Sequence, residues 1–134
     1  MPDSRILIVD DDAIGGQLLI TLLDMEGFEA FLPQDWDDPL RDVECQRPFL
    51  VIIDVHLRNR NGFDLLAQIR AHADPQVART AVLMMSAEDY RLQSKRAGAD
   101  GFVEKPFDLP ALYAAVRECK GGYSIEQEGT ISDN

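Results

Sequence analysis

The sequence is poor in cysteine. Cys45 and Cys119 are the only two, and neither stands in a CxxC or Cys/His spacing. A disulfide framework and a structural zinc site are therefore not expected, and both thiols read as ordinary half-buried residues of a reduced protein. Basic residues are scarce as well: 13 Lys and Arg face 24 Asp and Glu, a formal net charge of −11. Such a surface does not coat phosphate backbones or cling to anionic membranes, so neither direct nucleic-acid contact nor a membrane partner is expected. No apolar run approaches the ~20 residues that span a bilayer. The opening residues lack the charged-then-apolar pattern of a secretory signal, and a cytoplasmic location is expected. No low-complexity tract is present. What remains is 134 residues with 46% hydrophobic content, enough for one domain with a real core.

Three apolar runs stand out: Ile6–Val9, Phe49–Ile53 and Ala81–Met85. None alternates with polar residues. Continuous runs of this length, together rich in β-branched residues, suit strands buried on both faces, which means a mostly parallel sheet covered by helices. Two weaker strands are expected at Glu29–Leu32 and Gly101–Glu104. Helical patterns fill the gaps. Ile14, Leu18, Leu22 and Met25 are spaced to form one apolar face, with Gly27 as the stop. Asp38-Pro39 starts a short helix to about Cys45. Phe63, Leu66, Ile69 and Ala73 mark another, closed by Asp74-Pro75. Residues 88–97 form a mostly polar helix, anchored only by Tyr90, Leu92 and Ala97. Asp108 caps a last helix carrying Leu109, Leu112 and Val116, which Gly121-Gly122 ends. The order is β-α repeated five times, which favours an α/β fold with a doubly wound five-stranded parallel sheet. Residues 123–134 are polar and read as a tail or linker after a domain spanning 1–122.

In such folds ligands bind at the carboxyl ends of the strands. Here those ends deliver Asp10, Asp11 and Asp12 from the first strand, Asp54 from the third, Ser86 from the fourth and Lys105 after the fifth. Clustered carboxylates repel one another, and a hard cation such as Mg²⁺ resolves the conflict with oxygen ligands. A lysine and a hydroxyl beside them are the tools for holding a phosphoryl group. The set reads as Mg²⁺-assisted phosphoryl chemistry with a carboxylate nucleophile. Each residue alone has a plainer reading. Asp12 is a helix cap, Asp54 a strand-end turn residue, Ser86 a loop hydroxyl and Lys105 a solvated surface lysine. Their convergence is what argues for function.

The four segments Arg5-Ile6-Leu7-Ile8-Val9-Asp10-Asp11-Asp12, Ile53-Asp54-Val55-His56-Leu57 with Gly62 eight residues after Asp54, Leu83-Met84-Met85-Ser86-Ala87, and Ala97 to Phe107 with Lys105-Pro106, come in an order and at spacings that resemble the receiver domain of two-component response regulators. The resemblance covers about residues 4–120. It implies a flavodoxin-like (βα)5 fold with strand order 2-1-3-4-5. It implies that Asp54 is the phosphoacceptor, that Asp11 ligates Mg²⁺ directly with Asp10 assisting, and that Asp54 and the His56 backbone carbonyl complete the metal set. Ser86 and Lys105 then contact the phosphoryl oxygens, and Ser86 and Phe102 form the switch. Lys105-Pro106 resembles a bond that the family holds cis.

The implied donor is a sensor histidine kinase or a histidine phosphotransfer protein. The implied output surface is the fourth helix, the fifth strand and the last helix, read by a downstream protein or a second copy of the chain. The domain would be self-modifying rather than a turnover enzyme, with His56 and Glu88 at rim positions that influence hydrolysis of the acyl phosphate. Arg58 stands where members often carry Pro, in a basic loop Arg58-Asn59-Arg60-Asn61. Pro39 delays the second helix, and Trp36 before it is a candidate partner contact. The alternative from the enzyme class is an aspartate-nucleophile phosphohydrolase of the haloacid dehalogenase kind, whose first motif Asp10-Asp11-Asp12-Ala13-Ile14 matches only loosely. A flavin binder would need a Ser/Thr/Gly-rich loop where three acids stand.

Overall fold

A computed structural model describes residues 4–119. Strands β1 (Arg5–Val9), β2 (Glu29–Phe31), β3 (Leu50–Asp54), β4 (Ala81–Ser86) and β5 (Gly101–Glu104) form one sheet in the order β2-β1-β3-β4-β5. Every neighbouring pair is parallel. Between them run α1 (Ala13–Met25), α2 (Pro39–Gln46), α3 (Gly62–Arg70), the single turn α4 (Pro75–Ala78) and α5 (Arg91–Ala97). A last helix, α6, covers 109–119. The expected Gly121-Gly122 stop and the expected tail over 123–134 lie outside the described residues.

The alternation along each strand explains the two cores. Ile6 and Ile8 of β1, Leu50 and Ile52 of β3 and Leu83 and Met85 of β4 point to one face, where they meet Leu19 and Leu23 of α1 and Leu112 and Val116 of α6. Leu7, Val9, Val51, Ile53, Val82 and Met84 point to the other, against Val43 of α2 and Leu65, Leu66 and Ile69 of α3. All six β1–β3–β4 residues on each face are fully buried. At ~1.5–3 kcal/mol per buried aliphatic side chain, this double-sided burial is the main stabilising term, and it explains why these runs do not alternate with polar residues.

Several sequence expectations are corrected. On α1 the buried residues are Gly16, Leu19 and Leu23. Of the expected face, Ile14, Leu18 and Met25 are 81%, 56% and 67% exposed, while Leu22 is half-buried against the core. Both faces of this helix carry Leu or Ile at helical spacing, so periodicity could not choose between them. Asp74-Pro75 does not simply close a helix: α3 ends at Arg70, leaving Ala73 outside it, and Asp74 caps the new turn α4 by accepting from the Gln76 N–H. Asp38 sits at the start of α2, yet its side chain makes no capping bond. Leu92 and Ala97 do not anchor α5, since both are exposed and Ser94 is the buried residue. Cys45 is exposed and Cys119 buried, so neither is half-buried.

His72 is not a plain surface residue. Its Nε2 lies 2.7 Å from Glu44 and its Nδ1 accepts from the Asp74 N–H, which ties α2 to the α3–α4 turn. Other expectations hold in detail. Gly27 has φ +89° directly after α1, and the Phe28 N–H reaches back to the Leu23 carbonyl. Asp12 caps α1, and Asp108 accepts from the Ala111 N–H at the start of α6. The Lys105–Pro106 peptide is cis.

Candidate functional site

The register brings the strand ends together. Val9 pairs with Ile53, Asp54 with Met85 and Ser86 with Glu104, so Asp10, Asp54, Ser86 and Lys105 leave the sheet side by side at its carboxyl edge. Backbone bonds then fix the loops. The Lys105 N–H donates to the Ser86 carbonyl at 2.8 Å, and the Val55 N–H donates to the Met85 carbonyl at 2.9 Å. The Gly62 N–H donates to the Val55 carbonyl at 2.7 Å, which draws the start of α3 down onto the end of β3.

Lys105 is the centre of the site. Its Nζ lies 2.6 Å from Asp54 Oδ2 and 3.9 Å from Asp10 Oδ2. The other oxygen of Asp54 accepts from the His56 N–H at 2.9 Å. Asp54 is buried yet keeps 11% of its side chain exposed, enough to leave a carboxylate edge open to an incoming group. Asp10 is more deeply buried, at 3% exposure. Burial pushes its carboxyl above the ordinary value of 3.8; the Asp12 N–H bond and then the Lys105 charge oppose that rise, while the Asp54 charge adds to it. Asp11 Oδ2 accepts from the Arg58 N–H. Asp12 is turned away to cap α1, accepting from the Ile14 N–H at 3.2 Å.

Ser86 is 1% exposed, and its hydroxyl accepts from the Glu88 N–H at 3.1 Å. Phe102 is partly buried on β5, with the Arg91 guanidinium 5.4 Å above its ring. The His56 side chain stands over the rim, 55% exposed, with its Nε2 2.8 Å from Glu88 Oε1. The structure therefore brings Asp10, Asp54 and Lys105 into direct contact, places Asp11 and Ser86 beside them, and leaves Phe102 one strand away on the α5 side.

Among the described residues no three Asp, Glu, His or Cys side chains converge as a ready-made metal cage. Mg²⁺ does not require one. It keeps several waters and takes one or two carboxylates, the rest coming from carbonyls and phosphate oxygens. Asp10 and Asp11 fit that demand: a buried carboxyl group 3.9 Å from the Lys105 ammonium, and a second whose one oxygen is aimed by an N–H donor.

Two features at the rim were not read from sequence. Tyr90 joins His56 and Glu88: its ring packs edge-on to His56 with centroids 5.5 Å apart, and its hydroxyl donates to Glu88 at 3.4 Å. Arg60 reaches across to the β2–α2 loop, where its Nη2 donates to the carbonyls of Trp36 and Asp37 at 3.1 and 3.0 Å. The only sequence signal for either was the basic character of the 58–61 loop.

The fold and the order of its motifs have counterparts among known proteins. The family model of the response regulator receiver domain matches residues 6–117. The transcriptional regulatory protein CpxR of Klebsiella pneumoniae is 35% identical over 132 residues, covering 95% of this chain and 54% of that protein. The DNA-binding response regulator MtrA of Mycobacterium tuberculosis is 34% identical over 116 residues, covering 84% of this chain and 49% of that protein. Among solved structures, the chemotaxis protein CheY4 of Vibrio cholerae superposes with a TM-score of 0.78 at 25% identity, covering 87% of this chain and 98% of that one. The fold is that of an α/β signalling module with its site at the strand ends. The chain belongs to the response regulator receiver domains of two-component systems. It spans about half the length of the curated relatives just described. Nothing in these matches supports the haloacid dehalogenase alternative. No helix among the described residues is long and apolar enough to cross a membrane.

Proposed function

We propose that Asp54 is the phosphoacceptor of this receiver domain, taking a phosphoryl group from the phosphohistidine of a sensor histidine kinase or a phosphotransfer protein. The observation that carries this is the contact of Lys105 Nζ with Asp54 at 2.6 Å, with Asp10 3.9 Å away on its other side. A carboxylate oxygen of Asp54 forms the new O–P bond as the P–N bond of the donor imidazole breaks, and the donor nitrogen leaves with the bonding pair. Lys105 is already in place to meet the phosphoryl oxygens, and the Ser86 hydroxyl supplies a second donor from β4. Asp10, Asp11, Asp54 and the His56 carbonyl are the groups that would hold Mg²⁺. When bound, the ion supplies positive charge that offsets the acids and the developing negative charge on the phosphoryl oxygens.

In the same reading the domain, residues 1–122 with a polar segment over 123–134, is a cytoplasmic signalling module and not a turnover enzyme. Water attacks phosphorus, the aspartyl O–P bond breaks, and phosphate and the Asp54 carboxylate are regenerated. The His56–Glu88 pair over the rim limits that attack. Phosphorylation shifts a two-state equilibrium. Ser86 moves toward the phosphoryl group and Phe102 turns inward from beneath Arg91. The α5–β5–α6 face then changes for a protein partner or a second copy, with no nucleic-acid contact by this domain itself.

The test is direct. Incubation with Mg²⁺ and acetyl phosphate, borohydride reduction and mass spectrometry should place the label on Asp54. Asp54→Asn should abolish it, and excess chelator should prevent it. Label on Asp10, with turnover of phosphate esters, would instead identify a hydrolase.

A further inference from the structure

Arg60 has no part in the phosphoryl chemistry just described, yet it is the residue that joins the loops around Asp11. Its guanidinium spends two bonds on main-chain carbonyls of the β2–α2 loop, those of Trp36 and Asp37. Its own carbonyl accepts from the Leu57 N–H at 3.2 Å and closes a turn over 57–60. His56 and Asn61 pair across the base of that turn. Inside it, the Arg58 N–H points at Asp11 Oδ2. Three separate loops are thereby one strap, and they wall a cavity of about 420 Å³ whose lining includes Asp10, Asp11, Trp36 and Arg60.

The chemistry of these anchors is informative. An arginine beside this many acids would ordinarily pair with one and neutralise it. Here the guanidinium is tied to neutral carbonyls, and Asp11 is tied to a neutral N–H. The strap holds its parts in place without consuming a carboxylate charge, and Asp11 keeps its second oxygen for another partner. A proline at position 58, common in the family, has no N–H to offer Asp11.

We propose that Arg60 is a positioning residue for Mg²⁺ binding: it fixes the 57–60 turn so that the Arg58 N–H holds the Asp11 carboxylate in its metal-receiving orientation. This rests on the reading of Asp11 as a metal ligand given above. Preorganisation of this kind acts on affinity, because a ligand that must first be ordered binds more weakly.

Mg²⁺ binding is measured on the whole chain by calorimetry, and independently by the fluorescence of Trp36, the single tryptophan. Arg60→Ala should raise the half-saturating Mg²⁺ concentration roughly tenfold, about 1.4 kcal/mol. Acetyl phosphate labelling should need correspondingly more Mg²⁺ and recover in excess metal. Arg60→Lys, which retains a cation with donors, should recover most of the affinity. Arg58→Pro, which deletes the N–H on Asp11, should weaken binding from the other end of the strap and serves if Arg60→Ala fails to fold. Folding of each variant is verified by urea denaturation. A folded Arg60→Ala or Arg58→Pro variant with wild-type or tighter Mg²⁺ binding would overturn the proposal. Wild-type protein that binds no Mg²⁺, or Asp11→Asn that binds it normally, would instead remove the metal reading itself and the inference with it.

Discussion

Gly62 offers a sharp test of how the site is built. It is the first residue of α3, and its N–H donates to Val55. A Cβ placed on it would lie 2.2 Å from the Asp54 carbonyl oxygen, 2.8 Å from Ile53 Cγ2 and 3.0 Å from the Asp54 carbonyl carbon. Carbon–oxygen contacts are comfortable from ~3.3 Å, so Gly62→Ala must push the start of α3 or the end of β3 by about 1 Å. Overpacking of this kind costs ~1–3 kcal/mol, and weakening the 2.7 Å bond to Val55 adds about 1 kcal/mol. The better helix propensity of Ala returns about 1 kcal/mol. The net loss is about 1–3 kcal/mol, or roughly 4–12 °C in Tm for a domain of this size.

Because the clash is with the backbone of Asp54 itself, labelling by acetyl phosphate should also slow, by at least about tenfold for a 1 Å displacement of the proposed acceptor. Gly27→Ala is the control. Gly27 has φ +89° and nothing within 4 Å of a built Cβ, so its variant carries only the left-handed strain of ~1–2 kcal/mol. It lies at the opposite end of α1 from the site and should leave the labelling rate alone. Urea denaturation and labelling rates are measured on all three proteins. Gly62→Ala losing less stability than Gly27→Ala, or labelling at the wild-type rate, would refute the close-approach argument.

Further expectations concern the groups around this centre. Because burial makes folded Asp10 hold its proton more tightly than the unfolded chain does, its contribution to stability is full below the ordinary carboxylate value of 3.8 and is lost as pH rises through the raised folded value. In chelator, Asp10→Asn should therefore be more stable than wild type at neutral pH, with the gap closing toward about pH 4; urea curves at several pH values check this, and a gap that widens toward acid refutes it. Ser94 carries the one buried side-chain polar atom without a hydrogen-bond partner among the described residues. Ser94→Ala should stabilise the domain by about 1 kcal/mol, and destabilisation in urea would show that the hydroxyl is satisfied. Burial, with the Asp100 and Glu118 charges adding to it, pushes the Cys119 thiol up to about 12, whereas Cys45 is exposed. A thiol reagent at mildly alkaline pH should find one fast cysteine per chain, not two. Glu88→Ala opens the rim beside His56 and should shorten the acyl phosphate lifetime roughly threefold, followed by phosphate release; a longer lifetime would mean that Glu88 assists the attacking water.

Much of the molecule was legible in one dimension. The continuous apolar runs at Ile6–Val9, Phe49–Ile53 and Ala81–Met85, each ending at a polar residue, suit strands buried on both faces. Parallel strands joined by right-handed crossovers must then present their carboxyl ends on one edge. That constraint alone groups Asp10, Asp54, Ser86 and Lys105 at one edge of the sheet. Capping chemistry is equally local, which is why Asp12, Gly27 and Asp108 behave as expected.

Choices between near-equal alternatives belonged to the tertiary structure. On α1 the stripe Ile14-Leu18-Leu22-Met25 and the stripe Leu19-Leu23 are both apolar. Only the position of α6 and the sheet decides that the second is buried and the first, apart from the half-buried Leu22, exposed. The same holds for α5, where packing selects Ser94 over Leu92 for the buried side. The connections between loops were invisible for a related reason. Arg60 meets Trp36 and Asp37 across more than twenty positions of sequence, through backbone carbonyls that every residue possesses. Residue type determines which groups a site can contain. Which donor meets which carbonyl depends on where the fold brings the chain close to itself, and no local pattern of side chains encodes that.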